Sequence, residues 1–386
     1  MELISFIITG TLLFFAIYGM ILVIAGTVYK NTEANECELP RIKVLLPAYQ
    51  PDQTFLKVLE SLKKAKKNHP IDVFILFQKA DEVIVEASRL FNFKYVEKVF
   101  SHLPGNSYRH ALQYLCDEHL NELTHKYTLI LDKDNIMDPT FFDQLAASSL
   151  RDYHIVQGVR NPLKTTEGLQ LFDAISERYN DLMLRKGKLQ LGGVLEISGS
   201  AAVIKTALFK HAIRNMDEKA PGYDKNFMVK LLTTTVKLKA AFNDRMVVRE
   251  EKTAAIENYQ SQRLRWFGEQ YFNAVFNSKA LLKAAFMQGK LRSLDYWVTL
   301  IRPPRSLQLI ASALLVIFDL LDLRLGYLSL PFLFNGLSFA IVTLPIIKTS
   351  QIKQLVVGLN KVVFSNLIIS LTCLKKKYQN KFIHTR

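Results

Sequence analysis

From Leu3 to Tyr29 the chain runs 27 residues without a charged side chain. About 20 apolar residues cross a bilayer, where the backbone must satisfy its own hydrogen bonds, so this run can only be a helix. It is too long for the core of a signal peptide and lacks a basic start, which marks a retained anchor. Leu325 to Ile347, 23 uncharged residues, reads as a second strong span, and Leu307 to Leu323, with Asp319 and Asp322, as a weaker one. Arg302 and Arg305 precede these runs and Lys348 and Lys353 follow them. The positive-inside rule makes those flanks cytoplasmic, with a short outer loop around Asp322 to Gly326. The expectation is a multi-pass protein of the cell membrane whose middle faces the cytoplasm. Leu355 to Leu374 could also span, but it holds Asn360, Lys361 and Asn366, and crossing would carry Lys375, Lys376 and Lys377 outside. An in-plane amphipathic helix at the cytoplasmic surface fits it better, and residues 278–297 have the same mixed character.

The net charge of +15 is compatible with nucleic acid or anionic lipid. No basic stripe interleaved with aromatics appears on a soluble module, so membrane lipids are the expected partner and nucleic acid is not. Cys37, Cys116 and Cys373 are odd in number and far apart, without disulfide-framework or metal-ligand spacing. A reducing compartment suits them.

Between the apolar runs, strand and helix alternate. "RIKVLLPAY" and "IDVFILF" read as buried strands, separated by "QTFLKVLESLKKAKKN", a helix with Phe55, Leu56, Leu59 and Leu62 on one face. "DEVIVEASRLF" and "NSYRHALQYLCDEHLNEL" are further helices before the strand that ends in "LILDKDNIMDP". The pattern predicts an α/β fold, a mostly parallel sheet with helices on both faces. Such sheets bind nucleotides, yet neither G-x-G-x-x-G nor a Walker lysine motif is present. A nucleotide held here would need its phosphates bridged by metal.

Asp132 and Asp134 stand two apart where a buried strand comes out into solvent, the place where open α/β sheets collect ligands. Two carboxylates there repel unless a cation joins them, and a hard divalent ion is the usual one. By itself the pair also fits a solvated turn. Three more stretches are ordered around it. "LLPAY" puts Pro47, Ala48 and Tyr49 at a strand end, and "APGYDKNFMVKLL" puts Asp224 at the start of a helix, where it could also serve as a cap. "QSQRLRWFGEQ" sets Gln262, Arg265 and Trp266 on one helix face. Arginine forks onto a diphosphate and tryptophan stacks on a sugar ring, though Trp266 also fits a core or membrane-interface aromatic.

In this order the four stretches resemble the membrane-bound family-2 glycosyltransferases, which include cellulose, chitin and hyaluronan synthases. That family's pattern is P-A-Y/H-N, D-x-D, a later E-D or equivalent acid, and Q-x-x-R-W. The resemblance covers roughly residues 40 to 300, and "VQGVRNP" and "ISGSAAVIK" also look like the family's intervening stretches. Two positions depart from it. Gln78 stands where the family has an acid that helps hold uridine, with Asp81 nearby, and Tyr223 replaces the first acid of the later pair.

The resemblance implies a GT-A type nucleotide-diphosphosugar-transferase domain and an inverting transfer from a nucleotide sugar, a UDP-sugar above all. It implies Mg²⁺ or Mn²⁺ on Asp132 and Asp134, with Asp224 as general base. Pro47, Ala48, Tyr49, Asp81, Asp132, Gln262, Arg265 and Trp266 would contact the donor. Ser198, Gly199, Ser200 and Trp266 would line the acceptor side, although "SGS" also reads as a turn. The expected acceptor is a growing polysaccharide, and a lipid acceptor is the alternative. With so few spans for a channel, either a second copy assists or the acceptor is a lipid. A non-catalytic nucleotide-sugar sensor or scaffold is the reading from another class. The expected organisation is an anchor at 1–29, a transferase domain at 30–277, an interfacial region at 278–305, two spans at 306–347 and an amphipathic basic tail at 348–386.

Overall fold

The computed structural model describes residues 2–31, 38–100, 107–148, 150–234, 237–322, 329–373 and 375. Cys37, the outer-loop residues beyond Asp322 and the tail lysines 376 and 377 lie outside them.

Helix α1 (Glu2–Val28) leads into β1 (Ile42–Tyr49), α2 (Thr54–Lys66), β2 (Ile71–Gln78), α3 (Glu82–Arg89), β3 (Lys94–Glu97), α4 (Ser107–Glu118) and β4 (Tyr127–Ile130). Then come β5 (Ile136–Met137), α5 (Phe141–Ala146), β6 (Ile155–Pro162) and α6 (Gly168–Asn180), which continues as a π-helical turn, Asp181–Gly187, into the short α7 (Lys188–Gln190). After β7 (Ala202–Lys205), α8 (Thr206–Arg214), α9 (Asp224–Thr234) and β8 (Ala240–Glu250), the rest is helical. It comprises α10 (Ile256–Phe276), α11 (Ser278–Met287), α12 (Leu291–Ile301), α13 (Arg305–Asp322), α14 (Leu330–Thr343) and α15 (Ile352–Cys373).

The strands form one sheet in the order β3-β2-β1-β4-β7-β6-β8-β5. From β3 to β4 it is parallel, as the apolar runs suggest; β7 then pairs antiparallel with both neighbours, and β6 and β8 are parallel again. The sheet is therefore mixed beyond β4. Strands β1 and β2 are buried along nearly their whole length because both faces are covered. Alternate side chains go to opposite cores: Leu45, Leu76 and Ile130 pack with Phe209 and Phe227, whereas Val44, Ile75 and Leu129 pack with Phe55, Leu59 and Phe141. The chain leaves β1 toward β2 on one side and returns to β4 on the other. The strand order reverses between β1 and β4, and the crevice opens at their carboxyl ends.

Among the described residues, two helices are long and apolar enough to cross a membrane, in α1 (Phe6–Val28) and at Thr349–Cys373; the bent pair α12–α13, with its 66° angle, could count as a third. The run 325–347 does not form one long helix in the described residues. Helix α14 has 14 residues, roughly 21 Å at 1.5 Å per residue against about 30 Å of hydrocarbon. Pro331 sits in its first turn and Pro345 follows its end, so the prolines set its length. By contrast, the stretch expected to lie in the membrane plane is a continuous helix of spanning length. It also packs on the α/β domain, crossing α6 where Gly168 and Gly358 bring the backbones together. The other apolar helix is likewise fastened: a Cβ on Gly26 would fall 2.1 Å from the Leu182 carbonyl oxygen, and one on Gly187 would fall 2.0 Å from that of Leu22.

Candidate active site

Buried β4 delivers the sequence Asp132-Lys133-Asp134 to the crevice. Lys133 Nζ donates to the carbonyls of Tyr49 at 2.9 Å and Gln50 at 3.1 Å, tying the ends of β4 and β1 together. With the lysine turned toward β1, the two aspartates flank it at the mouth of the sheet. Tyr108 donates to Asp132 Oδ1 at 3.2 Å, and Asn135 Nδ2 donates to Asp134 Oδ1 and to Glu250 Oε2, both at 3.2 Å. Burial and then the charge of Asp134 push the Asp132 carboxyl up to about 7. Desolvation and Glu250 push Asp134 up to about 6; this residue opens onto solvent, so water moderates the desolvation while the crowding by like charge persists. A site that resists holding its own negative charge is suited to a cation. Arg160 supplies part of the compensation, lying 3.7 Å from Glu250 and 3.3 Å from Glu177.

The tyrosines carry the site across to α9. The rings of Tyr108 and Tyr223 lie 5.2 Å apart, and Tyr223 immediately precedes Asp224. Asp224 opens α9 with Lys225 Nζ 3.9 Å away, and that ammonium also lies 3.6 Å from Glu196. Burial would raise the Asp224 carboxyl, but Lys225 and a hydrogen bond with Glu269 hold it below the usual carboxylate range. Arg265, on the same helix as Glu269, acts electrostatically on Tyr108 and so reaches the Asp132 side of the crevice. Trp266 is stacked on the Arg263 guanidinium, 4.3 Å from ring centre to Cζ. Gln262 is partly buried, and its Oε1 is without a hydrogen-bond partner.

A family model described as "Glycosyltransferase like family 2" matches residues 40–269, more than half of the chain. The chain belongs to this family. No match is found among curated proteins. Among solved structures, the family-2 fold is shared with the Pyrobaculum calidifontis mannosyltransferase PcManGT, in complex with GDP-Man and Mn²⁺. That match has a TM-score of 0.58 at 12% identity and covers 95% of this chain and 98% of the other. Glucosyl-3-phosphoglycerate synthase from Mycobacterium tuberculosis gives 0.41 at 16% identity over 64% of this chain and 79% of its own. S. aureus TarS 1-349 gives 0.42 at 14% identity, covering 86% and 90% respectively.

The remaining candidate residues of this family-2 domain sit at the ends of β1 and β2 and in the turn before β7. Pro47 and Ala48 are buried near the end of β1, with Tyr49 partly exposed as its last residue. Asp81 is the N-cap of α3, accepting from Val83 N at 2.9 Å, on an exposed residue. It is Gln78, 2% exposed and paired in register with Tyr49, that faces the crevice end of β2, and its Oε1 lacks a partner. Ser198 and Ser200 are consumed internally: Ser198 Oγ accepts from Gln157 at 2.8 Å and donates to the Ser200 carbonyl at 3.0 Å, while Ser200 Oγ donates to Asn135. Gly199 has a φ of 84°, which glycine adopts without strain, and its carbonyl accepts from Tyr223. The "SGS" turn thus supports Asn135 and Tyr223. Sequence reasoning assigns no role to Tyr108, Arg160, Glu250 or Glu269; Arg160 lies within the "VQGVRNP" stretch and Glu269 in "GEQ" beside Trp266, while Tyr108 and Glu250 carry no local motif.

Proposed function

We propose that this family-2 glycosyltransferase is a membrane-associated inverting enzyme that moves a sugar from a nucleotide-sugar donor to a growing polysaccharide. The observation that carries the reading is the Asp132–Asp134 pair, raised in pKa and set at the sheet's switch point by Lys133. Among the described residues no three His, Cys, Asp or Glu side chains cluster closely enough to cage an ion. Two carboxylates at an open mouth suit Mg²⁺ or Mn²⁺ completed by diphosphate oxygens and water. Bound there, the ion would neutralise charge on the departing diphosphate. The Mn²⁺ in the P. calidifontis enzyme agrees with this.

Asp224, held ionised, takes the proton of the attacking hydroxyl. Arg265 covers the diphosphate from α10, and Trp266 gives the acceptor sugar an apolar face. Gln78 offers a buried carbonyl oxygen to the base. It can accept from the ring N–H of uracil, which suits a UDP-sugar, and equally from guanine or from an exocyclic amino group. The few candidate spans favour either assistance from a second copy or, as the second reading, a lipid acceptor. The cytoplasmic side is proposed for the transferase domain from the basic flanks at Arg302, Arg305 and Lys348.

Incubating the purified full chain with a panel of nucleotide sugars and Mn²⁺, and measuring nucleotide release, tests the reading. Release from a UDP-sugar that stops with chelator is the expected result. No release from any donor, with intact donor binding, would turn the protein into a sensor.

A further inference from the structure

Away from the carboxylate cluster, a cavity of about 100 Å³ lies between α6 and α10 of the transferase domain and the apolar helices α13, α14 and α15. Phe172, Ile175, Leu309, Phe339 and Val362 give it apolar walls. Two guanidiniums also line it. Arg263 is paired with Asp173. Arg305 has no carboxylate within ion-pairing distance among the described residues. Its Nη2 donates to Ser176 Oγ at 2.9 Å, Asn180 Oδ1 at 3.0 Å and the Ser176 carbonyl at 3.4 Å, all neutral acceptors, and its Cζ lies 4.3 Å from the centre of the Tyr179 ring. The nearby Glu177 already serves Arg160 and Arg185.

Four polar atoms on the lining residues are buried without a partner: Arg305 Nη1, Arg263 Nε, Ser306 Oγ and Asn366 Oδ1. Arg263, Ser306 and Asn366 are each more than nine-tenths buried. Leaving such groups unpaired is costly, most of all when one is a charge, so a missing partner is indicated. The first three atoms can donate, which calls for an acceptor, and the unbalanced Arg305 calls for a negative one. Apolar walls suit an occupant that brings its own hydrocarbon. Three of the five surrounding helices are apolar, with outward residues such as Ile317, Phe332 and Phe364 exposed.

We propose that this cavity seats the phosphate headgroup and first chain carbons of a membrane lipid, with the phosphate on Arg305 and the hydrocarbon against Leu309, Phe339 and Val362. The site adjoins the acceptor side through one contact, since Arg263 stacks on Trp266. It does not depend on which donor or acceptor the enzyme uses.

The test titrates detergent-purified full-length protein with phosphatidic acid bearing brominated acyl chains and follows tryptophan emission. Brominated diacylglycerol supplies the same chains without phosphate, and inorganic phosphate supplies the anion alone. Phosphatidic acid should quench saturably, with diacylglycerol weaker by about tenfold or more. Arg305→Gln should weaken phosphatidic acid by a similar factor while donor binding is unchanged. Val363→Phe, which narrows the cavity and leaves both guanidiniums, should also weaken it. Equal affinity for the two lipids, undiminished binding by a folded Arg305→Gln, or displacement by inorganic phosphate at concentrations matching the lipid would each overturn the proposal. If Arg305→Gln does not fold, unchanged binding by Val363→Phe does so instead.

Discussion

Glu269 on α10 and Asp224 at the start of α9 meet as a hydrogen-bonded pair of carboxyl groups. Lys225 N donates to Glu269 Oε1 at 3.1 Å, and Glu269 is only 2% exposed. Burial and then the charge of Asp224 raise the Glu269 carboxyl well above its ordinary range, while Asp224 is held below its own. These opposite shifts favour a shared proton on Glu269 over one on Asp224. A side chain at position 222 would collide with this arrangement, because a Cβ on Gly222 falls 2.1 Å from Glu269 Oε2.

That pairing separates two kinds of substitution. If Asp224 is the general base, Asp224→Asn and Asp224→Ala should both lower turnover by about 10²–10⁴-fold with donor binding retained. A helix-capping role would instead leave Asp224→Asn nearly silent and make Asp224→Ala cost about 1 kcal/mol of stability. Glu269→Gln keeps a donor toward Asp224 and should stay within a few-fold of the parent. Glu269→Ala removes a hydrogen bond to the charged form, so the acidic limb of the pH–rate profile should move to higher pH. Normal turnover by Asp224→Asn would leave the reaction without an assigned base.

The metal reading has its own pH signature. Since both carboxyls are raised, to about 7 for Asp132 and about 6 for Asp134, protons compete with the ion in that interval. Mn²⁺ affinity should rise between pH 6 and 8, with proton release on binding, and level off above. Asp134→Asn should remove nearly all metal-dependent turnover without unfolding the chain. Isothermal titration at several pH values checks the first claim; turnover within a few-fold of the parent in the variant would defeat the second.

Much of this site is readable from the chain, and the unreadable part has a common cause. Strand β1 and the aspartates announce themselves because a doubly buried strand must be continuously apolar and its exit must be polar. Glu269, Glu250 and Arg160 do not, because each acquires meaning only from a partner far along the chain, as Asn135 Nδ2 does on reaching Glu250 at 3.2 Å. The apolar runs mislead for a related reason. Absence of charge reports on environment but not on helix length, and Pro331 trims α14 where the uncharged stretch continues. The polar residues of α15 look like a solvated face, yet Asn366 donates to the buried Tyr259 hydroxyl at 3.1 Å.

The crossing of α6 and α15 should be intolerant of any side chain. A Cβ on Gly358 would lie 2.3 Å from the Gly168 carbonyl oxygen. Gly358→Val should therefore cost about 1–3 kcal/mol or displace α15 from the domain, seen as a lower thermal midpoint and faster proteolysis. An unchanged midpoint would mean that the two helices do not rest on one another.

The orientation of α15 can be read by labelling its ends. With Cys37, Cys116 and Cys373 replaced, single cysteines at Lys353 and Lys375 should both react only from the cytoplasmic side if the helix lies in the membrane plane. Labelling of position 375 from outside intact cells would make it a span.

Because Gly26 meets Leu182, and Tyr18 donates to Asp295 at 2.6 Å, the amino-terminal helix is welded to the domain instead of tethering it. A flexible leash would let a catalytic crevice roam through a hemisphere of solution. Here, once α1 is embedded in a bilayer, the crevice is fixed at one height and one tilt above it. Encounters with an acceptor that is itself carried on the membrane would then become lateral collisions in two dimensions. For such an acceptor the relevant concentration would be a surface density, and discrimination would turn on how far its hydroxyl stands from the lipid.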